Sequence, residues 1–401
     1  MSERRVPAPV RSDAFARYRK TLADVAHRRQ ARTLRAVVDG GGPRLILDGR
    51  SLINLGSNNY LGLAEHPRVE RAAADAMSRA GVGAGASRLL TGHGAVHEAL
   101  EAALARLKGA ERALVFSSGY LANVGTIPAL VGRGDLILAD RDIHASLVDG
   151  CRVSGARLRV YRRDRLDRLG AALASRRSGL ALIVTEGVFS MEGDLAPLPD
   201  LADLAERHGA LLMVDEAHAT GVFGATGSGS VEHWGLQERV PIQMGTLSKA
   251  LGALGGFVAG SQLLIEYLIH RARTFIYTTA VPAGIAAAAL EAIRLLDAEP
   301  ERRRRLWANC ALWRDGVTAL GFDTFRSASP IVPLRVGSDD LALRLSAELA
   351  TEGVYAPAIR PPTVPKGTAR LRTSILATHS TDDLVFALSA LERVATRVGL
   401  I

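Results

Sequence analysis

Short apolar runs bounded by turns alternate with stretches of helical periodicity through the middle of the chain. The apolar runs predict strands over 113–117, 135–140, 180–186 and 210–218. The helical patterns cover 95–107, 120–130, 144–154, 164–176, 198–208, 262–273 and 283–297. Strands that alternate with helices form mostly parallel sheets with covered faces. The pattern therefore predicts an α/β fold with a mostly parallel central sheet.

The two ends of the chain have different patterns. Residues 12–36 are typical of one amphipathic helix, and two apolar runs around Asp48 and Gly49, within 44–54, predict a hairpin. After about residue 300 the pattern predicts helices over 301–320, 339–352 and 381–398, and strands over 330–336, 354–359 and 369–375. We therefore expect an N-terminal segment (1–55), a large α/β domain (56–290) and a smaller α+β C-terminal domain (291–401).

Composition excludes several classes of protein. Of the 401 residues 48% are apolar and 23% charged, which is typical of a soluble globular chain. Cys151 and Cys310 are too few for a disulfide framework, which favours a reducing compartment and a cytoplasmic location. Residues 1–30 lack the apolar segment of a signal peptide, and no apolar run approaches the roughly 20 residues of a membrane helix.

The net charge is less informative than the distribution of the basic residues along the chain. The chain carries 50 basic and 41 acidic residues, a formal net charge of +9. The basic residues are dispersed, and the one run, Arg302–Arg305, lies in a predicted helix as a solvated face. Since no aromatic residues interleave with it, we expect no nucleic acid partner. An excess of Arg suits anionic metabolites equally well.

Candidate chemistry follows the predicted strands, because ligands bind at the carboxyl ends of strands in open α/β sheets. Gly119 and Tyr120 open a helix after the first strand, where backbone amides can hold a phosphate. His144 follows the second strand and could stack on a planar ligand, and Ser190, in a Gly-bounded loop, could donate to a ring oxygen. Each motif alone is also compatible with an ordinary helix cap or turn.

Asp215 is the sharper signal, because a carboxylate at the end of an apolar strand is costly unless it meets a cation. His218 can face the same ligand. A structural ion pair or a two-residue metal site is the alternative, but no third ligand at suitable spacing supports a metal. We therefore expect no metal.

Lys249 stands in an apolar, Gly-rich segment (MGTLSKALGALGGFVAG) and is one of four lysines in the chain. Desolvation lowers the pKa of an amine and makes it nucleophilic, which Arg cannot match; a lysine that extends its amine to water is the alternative. The other lysines, Lys20, Lys108 and Lys366, occupy polar or turn contexts, and we expect Arg to replace them without chemical consequence. Phosphate site, stacking ring, carboxylate and amine together are the set that pyridoxal 5'-phosphate (PLP) requires.

The chain resembles the α-oxoamine synthases, a family of fold-type-I PLP-dependent transferases related to aspartate aminotransferase, from about residue 30 to its end. The motifs that carry the resemblance are SNNYLGL (57–63), FSSGYLAN (116–123), HASLVDG (144–150), TEGVFSMEGD (185–194), VDEAH (214–218), GTLSKALG (245–252) and RPPTVPKGTARLR (360–372). In VDEAHAT, Glu216 and Ala219 replace the family's more usual Asp and Gly.

The resemblance implies a role for single residues. Lys249 matches the lysine that binds PLP covalently, Asp215 the carboxylate at the pyridine nitrogen, and His144 the ring-stacking histidine. Further implied contacts to PLP, at its phosphate or phenolic oxygen, are Gly119, Tyr120, Ser190, His218 and Thr246, with Thr278 and Thr279 reaching a phosphate across a dimer interface. Implied substrate contacts are Arg360 on the amino acid carboxylate, Thr363, Asn58 and Arg32. The resemblance thus implies a homodimer with shared active sites.

The implied reaction is a decarboxylating Claisen condensation of an amino acid with an acyl thioester, carried by coenzyme A (CoA) or an acyl-carrier protein. The last motif is most similar to the branch of the family that serves biotin synthesis from L-alanine and a pimeloyl thioester. Ser87 stands where glycine-using relatives often carry Thr, and the extra room favours alanine.

Three alternatives stay open at the level of sequence. A sister synthase could use glycine or serine instead. A nicotinamide-dependent oxidoreductase would need a Gly-rich turn after the first strand and an acidic residue about 20 positions later, which the sequence lacks. A nucleic acid binder would rest on net charge alone.

Overall fold

The computed structural model describes residues 13–27, 31–38 and 40–401. Its helices are α1 (Ala16–His27), α2 (Pro67–Ala80), α3 (Ala95–Lys108), α4 (Gly119–Leu130), α5 (Ala145–Ser154), α6 (Leu166–Ala174), α7 (Leu198–Arg207), α8 (Ser230–His233), α9 (Gln262–Arg271), α10 (Arg273–Ile276), α11 (Ala283–Ala298), α12 (Glu301–Ala319), α13 (Asp339–Thr351) and α14 (Thr381–Arg397). Its strands are β1 (Val37–Val38), β2 (Arg44–Leu47), β3 (Arg50–Asn54), β4 (Arg112–Phe116), β5 (Leu136–Asp140), β6 (Arg157–Tyr161), β7 (Ala181–Glu186), β8 (Leu211–Asp215), β9 (Ile242–Thr246), β10 (Gly256–Gly260), β11 (Ile331–Gly337), β12 (Val354–Tyr355), β13 (Ala358–Ile359) and β14 (Ala369–Ser374).

A seven-stranded sheet in the order β4-β10-β9-β8-β7-β5-β6 forms the centre of the fold. β10 runs antiparallel to both of its neighbours, and the other six strands are parallel to one another. Strands β5, β7, β9 and β10 are buried along their whole length, as expected of a sheet covered on both faces. The predicted α/β class with a mostly parallel central sheet is confirmed.

The sequence pattern did not predict three strands of this sheet. β9 (IQMGT) and β10 (GFVAG) are rich in small residues with weak strand propensity, so their signal was only that of an apolar segment. β6 (RLRVY) lies at the sheet edge, and its exposed Arg157 breaks up the apolar run while guarding the edge against pairing with another chain.

The predicted hairpin is confirmed: β2 and β3 pair antiparallel around Asp48 and Gly49, whose φ angles of 52° and 76° suit a tight hairpin turn. The single strand expected over 354–359 is wrong. Pro357, which has no N–H to donate, separates β12, which pairs with β3, from β13, which pairs with β14.

The helix expected over 12–36 is shorter in the structure. α1 covers Ala16–His27 and has no buried residue, while 31–36 are exposed and irregular; residues 12 and 28–30 lie outside the described residues. Helical periodicity alone does not hold a helix without packing. Within the described ranges, no helix is long and apolar enough to cross a membrane.

Candidate active site

The carboxyl ends of the six parallel strands lie at one edge of the central sheet, and a cavity of about 160 Å³ opens there. This is the edge at which ligands bind in open α/β folds. The cavity is lined by Gly119, Tyr120, Asn123, His144, Ser146, Glu186, Ser190, Asp215, Ala217, His218, Met244, Thr246 and Lys249. The structure therefore brings together eight of the residues that the sequence singled out as candidates.

Asp215, the last residue of β8, presents a carboxylate held in place from two sides. Its Oδ2 accepts a hydrogen bond from Asn123 Nδ2 at 2.8 Å, and its Oδ1 accepts one from the Ala217 amide at 2.9 Å. Asn123 Nδ2 also donates to Ser146 Oγ at 2.9 Å. These contacts fix the orientation of the Asp215 carboxylate at the cavity, where it can face a cationic ring nitrogen.

Lys249 follows β9 and lies in a chain of three polar side chains. Its Nζ is 2.7 Å from His218 Nε2, and His218 Nδ1 is 2.7 Å from the Tyr60 hydroxyl. Burial lowers the pKa of Lys249 to about 8, although the charges of Asp215 and Glu186 oppose the shift. Burial, and then Lys249, lower the pKa of His218 well below its usual value. A neutral His218 thus faces an amine that is partly unprotonated near neutral pH, as a nucleophile or base must be.

Glu186, which the sequence analysis did not single out, bonds to the backbone of His144. It ends β7 opposite Asp215, and its Oε1 accepts a hydrogen bond from the His144 backbone N–H. Burial, and then the charge of Asp215, raise the pKa of Glu186 well above its usual value. His144 Nδ1 also accepts from the Ser146 amide at 3.2 Å, which fixes the ring at the cavity.

The start of α4 forms the other end of the cavity. Ser118 caps the helix by accepting from the Leu121 amide at 3.2 Å, which leaves the first amides of the helix pointing outward. Gly256 lets β10 approach closely, since a Cβ there would lie 2.6 Å from Gly119. Together with Thr246, which lines the same cavity, these amides make an anion site of the kind that binds phosphate.

Arg372 is a functional candidate that sequence reasoning missed. Its Nε donates to the Ser190 carbonyl at 2.7 Å, and its Nη1 donates to Asn58 Oδ1 at 3.2 Å. Its charge is close enough to lower the pKa of both Lys249 and His218. The available signal was an Arg within ARLRTS, a strand that is buried along its whole length. Arg372 therefore brings a positive charge close to Lys249 and His218.

The other predicted site residues do not line this cavity. Arg360 and Thr363 form a turn after β13, in which the Thr363 amide donates to the Arg360 carbonyl at 3.1 Å. Thr279 is exposed and bridges to Ser87, and its neighbour Thr278 is half-buried. Arg32 lies in the exposed, irregular segment 31–36.

Lys108 corrects the expectation that it occupies a polar surface where Arg would serve. Its side chain is completely buried at the end of α3 and bonds to the equally buried Glu216. The sequence context LKG resembled a helix end and gave no sign of this partner, which is 108 positions away. Arg could not replace this lysine without consequence, because the partners surround a compact ammonium.

The residues of the cavity fit PLP. Asn123 Oδ1 is buried without a hydrogen bond partner, so the cavity wall has an acceptor to spare. An amine for the aldehyde, a carboxylate for the pyridine nitrogen and a helix start for the phosphate lie around one small cavity. Among the described residues, no group of three or more His, Cys, Asp or Glu side chains could hold a metal ion.

Comparisons with known proteins agree with this geometry. The family model for aminotransferase class I and II matches residues 50–391. The 8-amino-7-oxononanoate synthase of Geobacter sulfurreducens is 50% identical over 373 residues, 92% of this chain and 95% of the relative. That of Symbiobacterium thermophilum is 49% identical over 361 residues, 90% and 92% of the two chains.

Solved structures show the same fold. The serine palmitoyltransferase of S. paucimobilis, solved with PLP and myriocin bound, superposes with a TM-score of 0.92 at 34% identity, covering 97% of this chain and 100% of that one. The 8-amino-7-oxononanoate synthase of Francisella tularensis gives a TM-score of 0.75 at 30% identity, covering 86% and 98%. The fold-type-I assignment and the PLP cofactor are thereby confirmed. The chain belongs to the aminotransferase class I and II family and, within it, to the 8-amino-7-oxononanoate synthases, and it is a PLP-dependent acyltransferase.

Proposed function

We propose that the protein condenses L-alanine with a pimeloyl thioester, on CoA or on an acyl-carrier protein, and releases CO2, the free thiol and 8-amino-7-oxononanoate for biotin synthesis. The observation that carries the proposal is the cavity in which Lys249, Asp215 and His144 meet, in a chain about half identical to curated synthases of this name. PLP, when bound, supplies an electron sink for negative charge on the Cα of the amino acid.

Lys249 moves the proton in this scheme. With its pKa lowered to about 8, the amine can take the Cα proton of the amino acid at Nζ and return it to the product. His218 Nε2, 2.7 Å away, accepts a hydrogen bond from the protonated amine and so holds it in reach of the cavity. With PLP bound, Asp215 would balance the positive charge of the pyridine ring, and the side chain of His144 would lie against the ring.

Arg372 holds the carboxylate of the amino acid. Its guanidinium is oriented by Ser190, Asn58 and Ser374, which take up the hydrogens of Nε and Nη1, so that Nη2 is left to donate to a carboxylate. Arg360 is the alternative for this role, with Thr363 beside it, and Arg32 the candidate for the acyl donor. Arg372 is favoured because it bonds to the carbonyl of Ser190, which lines the cavity, and because its charge acts on Lys249 and His218.

Mass spectrometry of the products is the direct test. The protein, loaded with PLP, is incubated with L-alanine, glycine or L-serine and with pimeloyl-CoA or palmitoyl-CoA. We expect one dominant product, 8-amino-7-oxononanoate, together with free CoA. A long-chain ketone formed from serine would instead support the second candidate, a serine-using synthase, which is favoured by the TM-score of 0.92 with serine palmitoyltransferase.

The active enzyme is a homodimer in the cytoplasm. Thr278 and Thr279 lie outside their own chain's cavity, Thr279 with an exposed side chain, which suits contacts to a phosphate in the partner's site. Cys151 and Cys310 are free and buried, as in a reducing compartment. Sedimentation measures the assembly. Mixing a Lys249→Ala subunit with a Thr279→Val subunit should change the activity per site if sites are shared, and should leave it additive if they are not.

A further inference from the structure

A second buried lysine lies beyond the wall of the PLP cavity. Lys108, at the end of α3, and Glu216, the residue after Asp215, have side chains with no exposed surface, and neither lines the cavity. We call Lys108, Glu216, Thr220, Ser228 and Ser230 the Lys108 cluster. Nothing in the proposed reaction uses this charged pair, yet its acid directly follows the carboxylate that faces the ring of the cofactor.

Every donor of the Lys108 ammonium has a partner. Nζ donates to Glu216 Oε2 at 3.3 Å, to Thr220 Oγ1 at 2.9 Å and to the Ser228 carbonyl. An ammonium has three donors, so the lysine is fully satisfied. Burial lowers the pKa of Lys108, and the charge of Glu216 opposes that shift. Glu216 is the largest of the opposing influences, ahead of the charges of Glu232 and Asp215.

The carboxylate of Glu216 also has several hydrogen bond partners in the cluster. Its Oε1 accepts hydrogen bonds from the Ser230 amide at 3.1 Å and from the Ser230 hydroxyl. Two glycines make room for it: a Cβ at Gly229 would lie 1.5 Å from Oε2, and a Cβ at Gly187 would lie 2.6 Å from Oε1. The longer acid that stands in place of the family's usual Asp is thus accommodated by the surrounding backbone.

The Lys108 cluster holds both ends of the 216–220 turn, which carries His218. The Thr220 amide donates to the Glu216 carbonyl at 2.8 Å, which closes the turn. Lys108 then bonds to the side chains of Glu216 and Thr220 together, with His218 between them and Asp215 directly before. A shift of this turn moves the carboxylate for the ring nitrogen and the partner of Lys249 at once.

We propose that Lys108 and Glu216 are a positioning pair, which fixes the 216–220 turn and so holds Asp215 and His218 in the geometry that PLP requires. Neither residue touches the cofactor or a substrate. The pair deepens the proposed function, but PLP binding tests it without either substrate, so that its failure is distinguishable from a failure of the proposed reaction.

The test compares Lys108→Met and Glu216→Gln with the unaltered chain. PLP affinity is measured by absorbance titration of the PLP-free protein, well below the unfolding temperature of every variant. We expect PLP to bind on the order of tenfold more weakly, as when outer partners of ligating residues are removed. The visible band of the bound cofactor shifts, and with saturating PLP kcat falls while KM for L-alanine stays within about twofold. A folded single variant with unchanged PLP affinity and band position overturns the proposal.

The double variant Lys108→Met/Glu216→Met separates positioning from stability. A packed apolar pair can replace a buried ion pair without loss of stability, so this variant should fold even where a single one does not. We expect its PLP affinity to stay low, because the hydrogen bonds that hold the turn are lost. A folded double variant that binds PLP as tightly as the unaltered chain overturns the proposal.

Glu101→Gln is the matched control. It breaks the largely buried pair between Arg88 and Glu101. Glu101 lies on the same helix as Lys108, but its hydrogen bonds go to Arg88 and to the Val115 amide, away from the 216–220 turn. We expect a lower unfolding temperature with PLP affinity within about twofold. An equal loss of PLP affinity in this control would show a general effect of instability and would also overturn the proposal.

Discussion

Two lysines, Lys249 partly buried and Lys108 completely buried, contact the residues that follow β8, and their surroundings differ. Lys249 lines the PLP cavity with Asp215, and its Nζ is 2.7 Å from His218 Nε2. Lys108 is enclosed with Glu216 and bonds to three oxygen atoms. The first amine keeps donors for a ligand, whereas the second has spent all of its donors on the protein.

The contrast shows what makes a buried amine reactive. Burial lowers the pKa of both lysines. A full set of fixed acceptors turns Lys108 into a structural cation, and an incomplete set beside a cavity leaves Lys249 able to lose its proton. Each lysine should therefore tolerate a different replacement, which gives four ways to test the comparison.

The largest effect is expected from Lys249→Ala. The variant lacks the amine to which we assign the covalent bond to the cofactor and the proton transfer, so turnover should fall by at least about 10²–10⁴-fold. The visible absorbance of the bound cofactor should be lost as well. Lys20→Ala, at an exposed position in α1, is the control and should match the unaltered chain. Turnover by Lys249→Ala near the normal rate would remove the basis of the comparison.

The free energy of unfolding should show the reverse order, with a larger loss when Lys108 is replaced than when Lys249 is replaced. Lys108→Met leaves Glu216 buried without its cation, which we expect to cost about 3–5 kcal/mol of unfolding free energy. Lys249→Met removes a desolvated amine whose hydrogen bond goes to a neutral His218, so the cost should be below about 1 kcal/mol. Urea unfolding of the PLP-free proteins measures both. Equal losses would mean that both lysines are structural.

Sequence reasoning found the residues that local context marks. Asp215 at the end of an apolar strand and Lys249 in an apolar, Gly-rich segment stand out against their neighbours, and the structure places both in one cavity. The fold class was predictable for the same reason, since the apolar runs of β4, β5, β7 and β8 are short and bounded by turns.

Residues defined by distant partners could not be found in this way. The meaning of Lys108 depends on Glu216, and that of Arg372 on Asn58, 314 positions away. Glu186 became informative only when the parallel register of β7 and β8 placed it opposite Asp215. Such pairs are set by topology, and no local pattern records them. The roles of Arg360, Thr363, Arg32, Thr278 and Thr279 stay predictions.

Substrate binding should respond to changes on the cavity side alone. Arg372→Lys keeps the charge but loses the fixed planar donors of the guanidinium, and a hydrogen bond to a charged group is worth about 1.5–3 kcal/mol, so KM for L-alanine should rise about 10- to 100-fold. Arg360→Lys should raise it less than about threefold, and Lys108→Met should leave it within about twofold. Steady-state kinetics with saturating PLP decides. A larger effect at Arg360 would mean that Arg360, and not Arg372, binds the carboxylate of the amino acid.

The smallest effect is a pH dependence that belongs to Lys249. Its pKa is lowered from the usual 10.5 to about 8 in the folded chain, so above pH 8 the unfolded chain binds the proton that the folded chain has released. Stability must then rise with pH, by up to about 1.4 kcal/mol per unit between pH 8 and 9.5. The difference in unfolding free energy between the unaltered, PLP-free protein and Lys249→Met isolates this contribution, because all other titrating groups are common to both. A difference that stays flat across this range would mean that the cavity does not depress the amine pKa, and the contrast with Lys108 would then rest on hydrogen bond partners alone.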